Sequence, residues 1–278
     1  MHWSEFAPDE NAGVRIASVS QGVDMSYIHA ATMGAFLSSG ARAQFHVFDI
    51  PKTEFEPCIQ HLKEIGFRGV LVANPYKVDA ARLAERFWVS KFSLGTANAL
   101  LLDKGIFAQN SEVQAISTSV ADVERGMALV MGTGHAARSV IAGLLDANFQ
   151  IRLWNRNVNK TKILKSLLER YGDITLSTSP DPSGCKLVVN ATPLGAKLGE
   201  CAPVMWDRML PRTVCFDLVF RRVPTDFLRN AASRGLKTID GRELLVEQCA
   251  LCLEWFLGQR LDREPMRLAV GLKAAMPR

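Results

Sequence analysis

The chain has 278 residues, 48% hydrophobic and 22% charged, with a net charge of +5. At roughly 150 residues per domain this is two modest domains or one large one, with enough apolar surface to exclude a disordered or low-complexity chain. So small a positive charge steers anions weakly and does not mark a nucleic-acid binder.

The first hundred residues alternate strand and helix. Val14–Val19 predicts a strand, Tyr27–Ser38 a helix stopped at Ser38-Ser39-Gly40, and Gln44–Ile50 a strand closed by Pro51. Phe55–Ile65 predicts an amphipathic helix, Gly69–Ala73 a short buried strand broken by Asn74-Pro75, and Val78–Arg86 a further helix. Strands separated by helices predict an α/β fold with a largely parallel sheet. A second such pattern begins after Asn110, with a helix at Val113–Arg125, a strand at Met127–Met131 and a helix at Ala136–Ala147. The strand Ile151–Trp154, the helix Lys160–Tyr171 and strands at Leu187–Asn190, Val214–Val219 and Lys237–Ile239 follow. Two helices, Leu244–Leu257 and Glu264–Ala275, end the chain.

Six cysteines are too sparse for a disulfide scaffold. The N-terminal segment lacks a secretory pattern, and no apolar run approaches the roughly 18 to 20 residues that span a bilayer. The expectation is a soluble cytoplasmic protein with no membrane or nucleic-acid partner. Cys249 and Cys252 form C-A-L-C inside an apolar helical pattern, which reads as core packing, and the five scattered histidines predict no metal site.

The strongest local signal lies between the strand at Met127 and the helix after it: Gly132-Thr133-Gly134-His135-Ala136-Ala137, a G-x-G-x-x-A turn. The first glycine permits the tight turn, Gly134 lets a pyrophosphate approach the backbone, and Ala137 lets the helix pack closely on the sheet. The helix N-terminus then offers free N–H groups and partial positive charge to the phosphates. The next strand ends in Trp154-Asn155-Arg156. A carboxylate at such a position would read a ribose 2′-hydroxyl, whereas a guanidinium suits a 2′-phosphate. With Arg152 and Lys160 nearby, the cofactor is predicted to be NADP rather than NAD.

These and further motifs, in order, give the chain a wider likeness. GVLVANPYK at Gly69–Lys77, GTANAL at Gly95–Leu100, Asn110-Ser111-Glu112, the glycine-rich turn, Asn155-Arg156, NATPLG at Asn190–Gly195, Asp217–Phe220 with Pro224-Thr225, and DGRELLVEQ at Asp240–Gln248 run over most of its length. The chain resembles the shikimate/quinate dehydrogenases, in a divergent shikimate dehydrogenase-like branch. The resemblance implies two domains: an N-terminal α/β substrate domain (1–110) completed by returning C-terminal helices (243–278), and a Rossmann-like, doubly wound NADP-binding domain (111–242). It implies reversible hydride transfer between a nicotinamide and a small cyclic hydroxy acid, by a monomer or a homodimer. A quinate or aminoshikimate dehydrogenase is a variant of this reading. A low-turnover NADP-binding sensor is the alternative from another class.

Residue by residue, the resemblance assigns the proton chemistry to Lys77 and Glu112. A cleft lysine is pushed toward neutral by desolvation and held charged by a carboxylate, the balance a general acid–base needs near neutrality. It assigns the cofactor to Gly132, Thr133, Gly134, His135, Ala136, Ala137, Asn155, Arg156, Asn190, Ala191, Thr192, Pro193 and Gly241. Substrate contacts fall to Ser18 and Ser20 for the carboxylate, to Asn98 and Gln248 for hydroxyls, and to Phe220. The pocket departs from the family pattern. Leu71 and Ala73 stand where the family has Asn and Thr, Phe220 replaces a tyrosine, and Glu112 an aspartate. Glu112 keeps the carboxylate of the proton chemistry; otherwise the retained residues are those of cofactor and proton chemistry, and the altered ones select substrate.

Overall fold

The computed structural model describes residues 2–7, 13–87, 92 and 94–274. In chain order the elements are β1 (Val14–Ser20), α1 (Ser26–Ser39), β2 (Ala43–Asp49), α2 (Phe55–Glu64), β3 (Gly69–Val72), α3 (Lys77–Leu83), β4 (Arg86–Phe87), β5 (Ala99–Leu102) and β6 (Ile106–Gln109). There follow α4 (Glu112–Ser119), β7 (Met127–Met131), α5 (His135–Asp146), β8 (Gln150–Trp154), α6 (Val158–Leu168) and β9 (Ile174–Leu176). The last are β10 (Cys185–Asn190), β11 (Val214–Asp217), α7 (Asp226–Ala232), β12 (Lys237–Asp240), α8 (Gly241–Leu257) and α9 (Arg263–Ala269). The chain divides into two compact units, residues 1–111 with 245–278, and residues 112–244.

The first unit holds a six-stranded sheet in the order β2-β1-β3-β5-β6-β4. It is rich in parallel pairs, as expected, with an antiparallel segment set into it. β1 runs parallel to β2 and β3, but β5 pairs antiparallel with both β3 and β6. The sequence reading passed over β5 and β6, a hairpin that turns at Asp103-Lys104-Gly105, where the Asp103 N–H donates to the Gly105 carbonyl at 3.0 Å. It also carried a helix through Arg86. α3 stops at Leu83 because Glu85 turns onto the hairpin: its N–H reaches the Ile106 carbonyl at 2.9 Å, and its carboxylate takes the Ile106 N–H at 3.1 Å. Arg86 then pairs with Phe107 in β4. Tertiary pairing overrides helix propensity here.

Each face of this sheet has its own core, as the strand period of two requires. Ala17, Val19, Val70, Val72 and Tyr76 pack with α2 residues Phe55, Ile59 and Leu62 on one face. Ile16 and Leu71 pack on the other with Ala31 and Phe36 of α1, Leu245, Cys249, Leu253 and Phe256 of α8, and Met266 of α9. C-A-L-C is therefore core, with Cys249 and Cys252 both buried. Gly40, in the left-handed region at φ 64°, ends α1 as the sequence predicts.

The second unit is an all-parallel sheet in the order β12-β11-β10-β7-β8-β9. This is the doubly wound order, reversing between β7 and β10. β9 and α7 were not foreseen. α7 opens with Thr225 as its cap, the side chain accepting from the Leu228 N–H. The helix expected over 113–125 ends at Ser119, because Arg125 folds back onto the Val120 and Val123 carbonyls at 2.8 and 2.5 Å. The last helix ends at Ala269; Ala275, where it was expected to end, lies outside the described residues. Among the described residues no helix is long and apolar enough to cross a membrane.

Candidate active site

In the second unit the strand registers align Trp154, Met131, Asn190, Asp217 and Asp240 in one row at the carboxyl ends of β8, β7, β10, β11 and β12. The cofactor residues expected from sequence lie at this row or on the chain leaving it. In a doubly wound sheet ligands bind at this edge, where the strand order reverses. Gly132 leaves β7 at φ +124°, and a Cβ there would lie 2.5 Å from the Ala191 carbonyl oxygen. Only glycine lets the β7 and β10 turns meet so closely. At Gly134 a Cβ would project into open space, so the approach to the first turn of α5 is clear. Ala137 is fully buried, as close helix–sheet packing needs, while His135 and Ala136 are exposed.

A groove of about 250 Å³ runs from this turn along α6, lined by Thr133, His135, Arg138, Lys160, Ile163 and Leu167. The Nε of Arg138 is buried without a hydrogen-bond partner. Arg156 and Lys160 are exposed, and Asn155 accepts from the Asn157 N–H at 2.8 Å to shape the bend after β8. Asn157 in turn caps α6, accepting from the Asn159 and Lys160 N–H groups. A clear glycine approach, a helix N-terminus and an orphaned buried cationic donor fit a phosphorylated dinucleotide. The sequence reading did not single out Arg138.

Asn190 is fully buried and its hydrogen-bonding capacity is in use. Its Oδ1 accepts from the Thr192 N–H and hydroxyl at 3.1 and 2.7 Å; its Nδ2 donates to the Leu194 carbonyl and to Asp217 at 2.9 and 2.8 Å. Asn190 therefore holds the shape of the 191–194 turn. Asp217 also accepts from the Val219 N–H at 3.0 Å and the Thr225 hydroxyl at 2.5 Å. Burial pushes its carboxyl up to about 6, against the pull of these donors. Neither Asp217 nor Thr225 was expected at the site, although both sit in the D-L-V…P-T motif. A Cβ at Gly241 would lie 2.7 Å from the Leu218 carbonyl, so this glycine lets β12 pass into α8 beside β11. Phe220 is 38% exposed on the chain after β11.

Glu112 opens α4 and is buried; its Oε2 accepts from the Ser139 hydroxyl on α5 at 2.5 Å.

In the first unit, Ser18 and Ser20 lie on the sheet face that carries Ile16 and Leu71. Both are buried, and neither hydroxyl has a hydrogen-bond partner. Leu71 is directly opposite Ser18 in the register, and Ala73 follows on the same face of the neighbouring chain. Two unsatisfied buried hydroxyls are costly unless a ligand answers them. Lys77 opens α3, half-buried, with its carbonyl bonded to the Ala97 N–H at 2.8 Å. Asn98 is buried and doubly tied to Ser111, donating to its hydroxyl and accepting from its N–H, each at 2.8 Å. One N–H and one lone pair of the amide remain. Gln248 is half-buried on α8, and its carbonyl accepts from the Ser111 hydroxyl at 3.4 Å.

No protein-family model matches the chain. Among curated proteins it is 32% identical to the shikimate dehydrogenase (NADP(+)) of Methanocella arvoryzae, over 81% of this chain and 86% of that one. The chain belongs to the shikimate dehydrogenase family. It is accordingly an alcohol dehydrogenase, an oxidoreductase with a CH–OH donor. A second family member, from Maricaulis maris, is 29% identical over 80% of this chain and 82% of that one. The shikimate 5-dehydrogenase of Thermus thermophilus, solved with NADP(H) and shikimate, superposes with a TM-score of 0.82 at 25% identity, over 92% and 98% of the two chains. The 5-ketofructose reductase of a Gluconobacter species shares the fold at a TM-score of 0.86 and 21% identity, over 93% and 98%.

Proposed function

We propose that the protein is an NADP-dependent dehydrogenase interconverting a small cyclic hydroxy acid and its ketone, of the shikimate/3-dehydroshikimate type, with a pocket altered toward a related substrate. The observation that carries this reading is the carboxyl-end row of the doubly wound sheet, which brings the glycine-rich turn, Asn155-Arg156 and the 191–194 turn to one edge. In this reading residues 112–244 are the dinucleotide-binding domain, and residues 1–111 with 245–278 the substrate domain.

When bound, NADP supplies the acceptor for hydride. The first turn of α5, entered past Gly134, takes the pyrophosphate. Arg156 and Lys160, with Arg138 at the groove, answer the 2′-phosphate; a carboxylate there would repel it. As hydride leaves the carbinol carbon, Lys77 Nζ takes the hydroxyl proton and returns it on ketone reduction, with Glu112 supporting the charged form. Ser18 and Ser20 donate to the substrate carboxylate, and the free capacity of Asn98 and the amide of Gln248 meet ring hydroxyls. The unanswered serine hydroxyls support that assignment.

In this reading the enzyme works as a monomer or a homodimer, and it acts in the cytoplasm, whose reducing conditions suit six cysteines that form no disulfide. The low-turnover sensor is not favoured, since the relatives at this identity are dehydrogenases. Reduction of NADP and of NAD with shikimate, quinate and related cyclic hydroxy acids tests the reading. One substrate should turn over with NADP preferred. Lys77→Ala should lower kcat by roughly 10²- to 10⁴-fold with NADP still bound. Tight NADP binding without turnover of any candidate would overturn it.

A further inference from the structure

Ser139 lies inside α5, buried, where a serine ordinarily returns its hydroxyl to a carbonyl of the preceding turn. Other hydroxyl residues of the chain do this: Thr32 to the Ile28 carbonyl at 2.8 Å, Ser119 to Ala115 at 2.8 Å and Ser166 to Ile163 at 2.9 Å. The Ser139 hydroxyl crosses instead to α4 and donates to Glu112 Oε2 at 2.5 Å. The two helices do not need this bond to stay together. A Cβ at Gly143 would lie 2.7 Å from the Ile116 Cβ and 2.8 Å from the Val113 carbonyl oxygen, so close packing around a glycine already fixes them.

We propose that Ser139 is a positioning residue that aims the Glu112 carboxylate for proton exchange. The inference rests on the role given to Glu112 above. A glutamate has one more rotatable bond than an aspartate, and a misplacement of about 1 Å costs on the order of a hundredfold in rate. A hydroxyl anchored on a packed helix holds one carboxylate oxygen and so fixes the direction in which the other faces. It also stabilises the ionised form. α4 carries no other titratable side chain than Glu112, and α5 adds His135, Arg138 and Asp146.

The test uses the full chain with S139A, S139T, E112D and the double variant S139A/E112D. S139A should lower kcat about tenfold, leave KM for both substrates within about twofold, and move the acid limb of the kcat profile to higher pH. S139T should restore the rate. In the E112D background S139A should change nothing further, because the carboxylate then stops a methylene short of the hydroxyl. The 13C resonance of the Glu112 carboxyl should titrate roughly half a pH unit higher in S139A, a readout that needs no turnover. An unchanged kcat and titration midpoint in S139A, or an equal loss in the E112D background, would overturn the proposal. If the wild type turns over none of the candidate substrates, the dehydrogenase reading fails by itself, and a moved midpoint still shows that Ser139 holds the carboxylate.

Discussion

Asp217 is a carboxylate with no exposed surface, accepting from three residues around the β10 and β11 turns. Its folded carboxyl, raised from 3.8 to about 6 by burial, binds a proton more tightly than it does in the unfolded chain. The stability it contributes is therefore full below about pH 4 and is lost as pH rises through about 6. The two values differ by ~3 kcal/mol of linkage, to order of magnitude. D217N removes that term. The stability of the wild type minus that of D217N, from urea titrations at several pH values, should fall by about this amount between pH 3 and pH 7. A difference independent of pH would show that Asp217 does not titrate in this range. Sequence reading found the motif around Asp217 and missed its importance, because burial and three converging donors arise only when separate turns meet. Ser139 carried no sequence signal; its partner lies 27 positions away.

At the level of elements, β3 shows why the altered pocket positions are unequal. Leu71 is packed into the core with Leu245 and Cys249, whereas Ala73 lies just past the strand and is half-buried. L71N would bury an amide among apolar side chains and cost stability, on the order of 1–3 kcal/mol. At this half-buried position A73T restores a hydroxyl, and one recovered hydrogen bond is worth about 1 kcal/mol, so it should raise kcat/KM for shikimate roughly fivefold. No gain would place Ala73 away from the substrate hydroxyls. The elements most legible in sequence were those with local signals, such as the β7–glycine–α5 unit, whose turn chemistry is written in consecutive residues. β4 and the mixed pairing of β5 with β3 were not legible, since their partners lie far along the chain. The hairpin at Asp103-Lys104-Gly105 did carry a turn signal, as did the Thr225 cap of α7, and both were readable in retrospect.

At the scale of the molecule, one face of the first sheet is covered by helices from the far end of the sequence. A Cβ at Gly69 would lie 2.5 Å from the Phe256 ring, and one at Gly34 in α1 would lie 2.7 Å from the Pro265 carbonyl at the start of α9. F256A should cost about 3–5 kcal/mol. Hydrogen exchange should then quicken in β1 and β3 while protection of β7 and β10 persists, if the two compact units unfold separately. Equal loss in both sheets would show one cooperative block. This arrangement bears on how the protein emerges from the ribosome. Residues 112–244 form a continuous stretch and can fold as they are made. The sheet begun by β1 must wait, with Ile16 and Leu71 bare, until α8 and α9 have been translated. β1 and β3 are thus made well before the helices that cover them, and in the interval their unfinished apolar face is the surface a chaperone has most reason to hold.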